Sequence, residues 1–229
     1  MQKNSLKIAL PKGRLYEEVI EYCLKTDLLE NHDQISKLSR KLVQEVEASG
    51  HLFLLAKPVD VPAYVEHGAA DIGFTGKDII AEKDRRLYEV FDLDRGNCDL
   101  VVAAPEEMDI SKLKELPDNI RVATSYPQIS HRFFRRHNIN AEIIELGGSV
   151  ELAPQVDLAD IIVDITSTGT TLRENNLEPV AKVLSSSVRM VANQTSYRTK
   201  SRIIEKITRQ MNQKLCGREE REEKAKCSG

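Results

Sequence analysis

Short apolar segments alternate with longer stretches of helical periodicity along most of the chain. Several of these segments are hydrophobic at consecutive positions, which is typical of strands that helices cover on both faces of a mostly parallel sheet. The pattern therefore predicts an α/β fold. The predicted strands lie at residues 6–10, 52–56, 100–104, 121–123, 141–146 and 161–165.

The C-terminal region has a different pattern. Residues 200–215 place apolar side chains at three- and four-residue spacing with Lys, Arg, Gln and Glu between them, which predicts an amphipathic helix packed on the rest of the protein. Residues 218–229 carry many charges and no apolar face, so this segment is predicted to be a poorly ordered tail.

Polar interruptions of the pattern suggest where the chain passes from one lobe to another. The polar stretch 92–97 is one predicted crossing, and a return crossing is predicted near 177–181, ahead of a strand at 183–191. A cleft between two lobes is the usual ligand site in such an arrangement. The predicted boundaries are 1–95 with 180–217 for the first lobe and 96–179 for the second.

Composition narrows the functional classes. The chain has 229 residues, 41% of them hydrophobic and 30% charged, with a net charge of only -3. An anionic ligand must then meet a local basic cluster, and nucleic acid is not an expected partner. The first residues lack the pattern of a signal peptide, no apolar stretch is long enough to span a membrane, and the four cysteines are widely spaced. These features predict a cytoplasmic protein with reduced thiols.

The strongest local signal follows the apolar run at 161–165. Hydroxyl side chains surround a glycine between this predicted strand and a predicted helix that begins near Leu172. Free N–H groups and hydroxyl donors at such a place favour a phosphate, which a glycine allows to approach the backbone. An ordinary Ser/Thr N-cap and turn fits the same residues, and the pattern leaves both interpretations open. The candidate residues are Asp164, Thr166, Ser167, Thr168, Gly169, Thr170 and Thr171.

Two cations flank a glycine after the first predicted strand. Arg14 offers a planar fork of donors suited to phosphate oxygens, and Lys12 offers a point charge on the other side of Gly13. Arg40 belongs to a second basic turn. By spacing alone, both groups can equally be solvated surface cations.

Two further glycine turns follow predicted strands. Gly76 ends an apolar strand, and the pair Gly147 and Gly148 follows another, with Glu151 close behind. Glycine permits close approach of the backbone to a ligand at such positions. The alternative for the second turn is a plain loop in which Ser149 caps a helix.

Taken in order, these motifs resemble those of the ATP phosphoribosyltransferase family, over nearly the whole chain from residue 6 to about 215. The specific part is a Glu-Leu-Ala-Pro segment, an apolar strand that ends in Asp, and a Ser-Thr-Gly-Thr-Thr-Leu loop. The matching stretches are 11–14, 39–41, 60–78, 151–154, 159–164 and 167–172.

The resemblance implies a two-lobed fold like that of type II periplasmic binding proteins, with mixed sheets flanked by helices and a cleft between the lobes. It implies that the loop 164–172 holds the 5-phosphate and ribose of phosphoribosyl pyrophosphate, and that Arg14 and Arg40 are catalytic. The loop carries Ser167 where many members have an acidic residue. The residues implied near the nucleotide or pyrophosphate are Lys12, Gly13, Gly76, Gly147, Gly148 and Glu151.

The implied reaction is the first step of histidine biosynthesis. N1 of the adenine of ATP attacks the anomeric carbon, and pyrophosphate leaves with Mg²⁺ bound to it rather than to protein ligands. Preorganised arginines stabilise the charge that gathers on the leaving group. No strong general base is demanded, because N1 already has a free lone pair.

The chain length implies the short form of this family, without a C-terminal regulatory domain. Such proteins assemble with a histidyl-tRNA-synthetase-like regulatory subunit, commonly as a hetero-octamer. The alternative is a non-catalytic module of the same fold that binds a small molecule, because fold does not determine function.

Overall fold

Strands and helices alternate along the chain in the computed structural model, which describes residues 5–26, 28–35, 38–110 and 112–226. The strands are β1 (Lys7–Pro11), β2 (Val43–Val46), β3 (His51–Ala56), β4 (Ile72–Gly76), β5 (Leu87–Asp92), β6 (Cys98–Pro105), β7 (Ile120–Thr124), β8 (Ala141–Glu145), β9 (Ile161–Thr166), β10 (Leu177–Ser186) and β11 (Val188–Asn193). The α-helices are α1 (Leu15–Lys25), α2 (Leu38–Lys41), α3 (Val61–Glu66), α4 (Lys77–Lys83), α5 (Pro127–Arg136), α6 (Thr170–Glu174), α7 (Gln194–Thr199) and α8 (Ser201–Lys226).

Sheet 1 has six strands in the order β2-β3-β1-β4-β11-β5. The central strand β1 runs parallel to β3 and β4, whereas β11 is antiparallel to β4 and β5. Ile8, Ala9 and Leu10 have no exposed surface, although their side chains alternate between the two faces of the sheet. Burial on both faces explains why this strand is apolar at consecutive positions.

Sheet 2 has five strands in the order β10-β6-β9-β7-β8. Here β7 is parallel to β8 and β9, and β6 is antiparallel to β9 and β10. Both sheets are therefore mixed and flanked by helices, and the predicted α/β class is confirmed.

The chain divides into two compact units. Unit 1 holds sheet 1 and comprises the described residues up to Ile79, Arg85–Gly96, and the chain from Val188 onward. Unit 2 holds sheet 2 and comprises Ile80–Asp84 and Asn97–Ser187. The short segment in unit 2 that ends at Asp84 was not predicted.

The predicted return near 177–181 is wrong. The strand β10 pairs with β6 from Leu177 to Ser186, so the chain stays in unit 2 until Ser187. The apolar pattern predicted one strand at 183–191, but β10 ends there and β11 begins in the other sheet. The serines at 185–187 interrupt the apolar residues at this break, but three polar residues did not separate the two strands in the prediction.

The predicted C-terminal helix is present as α8, which packs Ile204, Ile207 and Met211 into the core of unit 1. The prediction of a disordered tail is wrong for residues 218–226, which continue α8. Glu, Arg, Lys and Ala all have high helix propensity, so this segment can extend a helix without packing. Residues 227–229 lie outside the described residues.

Among the helices that the structure describes, none combines the length and apolar character that a membrane crossing requires. Cys23 and Cys98 are buried and form no disulfide bond with the described residues. Burial raises the pKa of the Cys23 thiol to about 12.

Candidate functional site

The parallel strands of sheet 2 end at one edge, and each is followed by a polar turn. The strands β7, β8 and β9 end at Thr124, Glu145 and Thr166. In mixed and parallel α/β sheets, ligands bind outside the carboxyl ends of the strands. Most of the residues predicted from sequence for phosphoribosyl pyrophosphate lie here.

The hydroxyl loop, residues 166–171, joins β9 to α6. The N–H of Gly169 donates to Oγ1 of Thr166 at 3.0 Å, which closes the turn. Oγ1 of Thr168 lies 2.9 Å from Oγ1 of Thr170. The exposed side chains of this loop are those of Ser167, Thr168, Thr170 and Thr171.

The hydroxyl loop is open at the start of α6. Gly169 is the N-cap residue, with a φ of 73° and no side chain that could cap the first turn of α6. The N–H of Thr170 donates to Oγ1 of Thr168 over 3.5 Å, which is a long hydrogen bond. The helix has only five residues, so its dipole is small and the hydroxyl and N–H donors must supply most of the attraction for an anion. The capping interpretation, with a Ser or Thr as N-cap, does not hold.

A cation that the sequence analysis missed lies beside this loop. Arg173 donates from Nη2 to the carbonyl oxygen of Thr168 at 3.2 Å. The sequence could have identified Arg173, because it lies four residues after Gly169, about one helical turn into α6.

Asp164 is a half-buried carboxyl in β9, two residues before Thr166. Its pKa is raised to about 6, mainly by burial, which a hydrogen bond from the N–H of Ile165 opposes and the negative charge of Glu151 reinforces. Glu151 comes from the 3₁₀ turn Val150–Leu152. Two carboxyl groups that can accept hydrogen bonds from a sugar therefore come from β9, just before the hydroxyl loop, and from the turn after β8.

The turn after β8 is exposed at Gly147, Gly148 and Ser149. No atom lies within 4 Å of the place where a Cβ would stand on either glycine. Ser149 has a φ of 49° and is the N-cap residue of the 3₁₀ turn Val150–Leu152, as the plain-loop alternative predicts, although its side chain makes no capping hydrogen bond. The turn has room for a ligand.

The end of β7 was not predicted as part of the site. Thr124 donates from Oγ1 to the carbonyl oxygen of Val163 at 2.7 Å, and Ser125 donates from Oγ to that of Leu146 at 2.9 Å. These two hydroxyls tie the ends of the three parallel strands together. The Thr-Ser pair directly after an apolar run was the signal in the sequence.

Unit 1 presents cations at the corresponding edge of sheet 1. The parallel strands β1, β3 and β4 are followed directly by Lys12, Lys57 and Lys77. Lys12 and Lys57 are exposed, whereas Lys77 pairs with Glu89. Lys57 was not predicted, because one lysine before a proline carries no distinctive pattern.

The predicted arginines of unit 1 belong to this same edge. Arg14 is exposed and precedes α1, after Gly13 with a φ of 79°. Arg40 is exposed in α2, which leads into β2. Because β2 is antiparallel to β3, its first residues lie at the carboxyl end of β3.

Gly76 closes β4 beneath the side chain of Asp78. A Cβ at this position would lie 2.1 Å from Oδ1 of Asp78, so the side chain of Asp78 folds over the glycine. Gly76, Arg14, Arg40, Lys12 and Gly13 thus share one edge of unit 1. The predicted residues of unit 2 share the carboxyl edge of sheet 2.

Nowhere in the described ranges do three or more His, Cys, Asp or Glu side chains come together as a protein metal site requires.

A family model, HisG: ATP phosphoribosyltransferase, matches residues 57–213. The chain belongs to the ATP phosphoribosyltransferase family. The ATP phosphoribosyltransferase of Halothermothrix orenii is 51% identical over 210 residues, which cover 92% of this chain and 94% of that protein. The predicted family is confirmed, and the activity of the protein is ATP phosphoribosyl transfer, the first step of histidine biosynthesis.

Solved structures agree with this family assignment. The ATP phosphoribosyl transferase (HisG:HisZ) complex from Thermotoga maritima contains a chain that is 36% identical, with a TM-score of 0.75 over 91% of this chain and 96% of that one. The periplasmic aliphatic sulphonate binding protein SsuA from Escherichia coli has a TM-score of 0.57 at 12% identity, over 95% of this chain and 76% of that one. At that identity the likeness shows the fold alone, and it is the fold that the resemblance implied.

Proposed function

We propose that the protein transfers the phosphoribosyl group of phosphoribosyl pyrophosphate to N1 of the adenine of ATP, with the hydroxyl loop as the site of the 5-phosphate. The observation that supports this role is the loop itself, in which the exposed hydroxyls of Ser167, Thr168, Thr170 and Thr171 surround Gly169. Hydrogen bonds to a charged group contribute about 1.5–3 kcal/mol each, so a few such donors can hold a phosphate.

The ribose is assigned to the carboxyl groups of Asp164 and Glu151. The negative charge of Glu151 contributes to the raised pKa of Asp164, so the two groups influence each other electrostatically. Ionised carboxylates accept hydrogen bonds from sugar hydroxyls. Because Ser167 stands where many members of the family have an acidic residue, Asp164 carries more of this contact here.

The leaving group is assigned to the cations of unit 1. Arg14 and Arg40 are exposed and form no ion pair with the described part of the chain, so their charges are available to pyrophosphate. The transition state gathers negative charge on pyrophosphate, and a preorganised guanidinium stabilises it more than the ground state. Mg²⁺ arrives bound to the substrate and neutralises part of the same charge.

We further propose a regulatory partner. The relative from Thermotoga maritima was solved as a HisG:HisZ complex, and this chain covers 96% of the matched chain. We therefore propose that this protein assembles with a histidyl-tRNA-synthetase-like subunit, as a hetero-octamer, in the cytoplasm where ATP and phosphoribosyl pyrophosphate are made.

The proposal is tested by turnover of the purified chain with ATP, phosphoribosyl pyrophosphate and magnesium, with and without the regulatory subunit. Formation of phosphoribosyl-ATP, followed by ultraviolet absorbance, is the expected result. The double variant Thr168→Ala/Thr170→Ala should raise KM for phosphoribosyl pyrophosphate by about 10- to 100-fold. Thr199→Ala is the matched control, since this exposed hydroxyl bonds only the carbonyl of Thr195.

The rival function is capture of a small molecule without chemistry. Absence of product both with and without the subunit, in a folded chain that binds phosphoribosyl pyrophosphate, would establish that function instead. An unchanged KM for phosphoribosyl pyrophosphate in the double variant would show that the hydroxyl loop is not the site of the 5-phosphate.

A further inference from the structure

Helix α5 has an unusual set of acceptors at its N-terminus. Its N-cap residue, Tyr126, provides no side-chain acceptor, and the first helical residue, Pro127, has no N–H to satisfy. The N–H groups of Gln128 and Ile129 donate instead to Oε1 and Oε2 of Glu82, each at 2.9 Å. A carboxylate from a distant part of the chain therefore serves as the cap of α5.

Glu82 is buried, with 8% of its surface exposed, near the end of α4 in the segment of unit 2 that ends at Asp84. Burial of a carboxylate is costly unless hydrogen bonds and opposite charge compensate it. Here two N–H groups and the positive end of a ten-residue helix provide that compensation. Glu82 thus acts as an anion bound inside the protein.

The capped helix leads back to the site through the β7–α5 turn, residues 125 and 126. The N–H of Tyr126 donates to Oγ1 of Thr124 at 2.9 Å, and that hydroxyl donates to the carbonyl oxygen of Val163. Val163 directly precedes Asp164 in β9. The hydrogen bonds of Thr124 therefore link the start of α5 to β9, the strand that leads into the hydroxyl loop.

The two helices that start at this edge of sheet 2 differ in one respect. The N-terminus of α5 is filled by the carboxylate of Glu82, whereas the first turn of α6 receives no carboxylate in the described ranges and has a neutral hydroxyl, Oγ1 of Thr168, 3.5 Å from the N of Thr170. An anionic substrate that reaches this edge can therefore use the hydroxyl loop but finds the start of α5 occupied. The start of α5 is therefore an anion site that the protein itself fills, whereas the hydroxyl loop is the anion site left for the substrate.

We propose that Glu82 is a positioning residue for phosphoribosyl pyrophosphate, an internal anion that occupies the N-terminus of α5 and holds the β7–α5 turn against the ends of β8 and β9. The proposal rests on the assignment of the hydroxyl loop to the 5-phosphate. Without Glu82, the turn loses its anchor and the start of α5 becomes an open site for a small carboxylate.

The test is the full-length Glu82→Ala variant, assayed with ATP, magnesium and phosphoribosyl pyrophosphate under the conditions in which the wild type is active. KM for phosphoribosyl pyrophosphate should rise about tenfold, as expected for the loss of one charged capping interaction. Added formate should lower this KM toward the wild-type value, because formate can enter the vacated site. A loss of folded protein alone lowers the maximal rate and leaves KM unchanged.

Glu21→Ala is the matched control, a glutamate in a helix whose exposed carboxylate pairs with Lys25. Its KM should equal that of the wild type and should not respond to formate. Glu82→Gln keeps one acceptor oxygen and should give an intermediate KM, and it replaces Glu82→Ala if that variant does not fold.

A KM for phosphoribosyl pyrophosphate within twofold of wild type, or a raised KM that formate does not lower, would overturn the role of Glu82. Thermal melting in formate, with equal chloride as the reference salt, gives a readout without substrates. Formate should stabilise Glu82→Ala and not the wild type. If the wild type forms no product, the proposed function fails while this melting comparison still decides whether Glu82 fills an anion site.

Discussion

The N–H of Gly169 and Oγ1 of Thr166 form a 3.0 Å hydrogen bond that closes the turn between β9 and α6. This bond directs the N–H of Gly169 inward and leaves the hydroxyls of the following threonines at the surface. The turn depends on the left-handed conformation of Gly169, which has a φ of 73°.

We expect Gly169→Ala to strain this turn by about 1–2 kcal/mol, because a Cβ disfavours the left-handed region. Strain in the loop should raise KM for phosphoribosyl pyrophosphate about tenfold, which steady-state kinetics would measure. Gly50→Ala is the matched control, since Gly50 has a φ of 67° in the turn before β3. It should lower the melting temperature to a similar degree and leave KM unchanged; equal KM values in the two variants would contradict the prediction.

The raised pKa of Asp164 predicts a pH-dependent cost. Its ordinary pKa is 3.8 and its folded pKa is about 6, so the folded protein disfavours the charged form. The cost is absent well below pH 3.8, grows as the pH rises toward 6, and is complete above it. Asp164→Asn should therefore increase the free energy of unfolding by about 1–3 kcal/mol at pH 8 and by less near pH 4.

Urea unfolding at the two pH values measures this difference for Asp164→Asn. The same variant should lose activity, because it removes the carboxylate assigned to the ribose. Asp157→Asn changes an exposed carboxylate on the same unit and should alter neither quantity. A stabilisation of Asp164→Asn that is equal at both pH values would contradict a titrating carboxyl.

Protonation of His51 should lower the free energy of unfolding in acid. This side chain is buried, and its Nδ1 accepts the N–H of Leu6 at 3.2 Å. Burial and then the charge of Lys200 lower its pKa, so the folded state keeps the neutral ring. The stability that depends on neutral His51 is complete above about pH 6.5 and is lost as the pH falls toward the lower folded pKa.

His51→Asn retains an acceptor near the position of Nδ1 and should flatten the fall in melting temperature between pH 7 and pH 5. His67→Asn is the control, because His67 has a largely exposed side chain. Identical pH profiles for wild type and His51→Asn would assign the acid sensitivity to other groups.

Arg14→Ala, and separately Arg40→Ala, should lower kcat and kcat/KM together by about 10²-fold, because their charge acts on the leaving pyrophosphate. Arg209→Ala removes an exposed arginine on α8 and should leave both constants unchanged. A rise in KM with unchanged kcat would show that the arginine anchors the ground state and does not assist departure of pyrophosphate.

The hydrophobic pattern predicted the α/β class because buried strands must be apolar on both faces, as Ile8 and Ala9 are. It also located the hydroxyl loop, whose residues are consecutive in the chain. The unpredicted parts depend on contacts between distant residues. Glu82 caps a helix 46 positions away, and Lys57 matters only because β3 ends beside β1.

The order of the strands in sheet 1 has a consequence for synthesis of the protein. Strand β11 lies between β4 and β5, so neither neighbour is paired on that side until residue 193 has left the ribosome. Sheet 2 needs nothing beyond Ser186. During translation, unit 2 can complete its hydrogen bonding first, while the strands before Ile79 in unit 1 wait for residues 188–193, in about the last fifth of the chain, to fill the gap in their sheet.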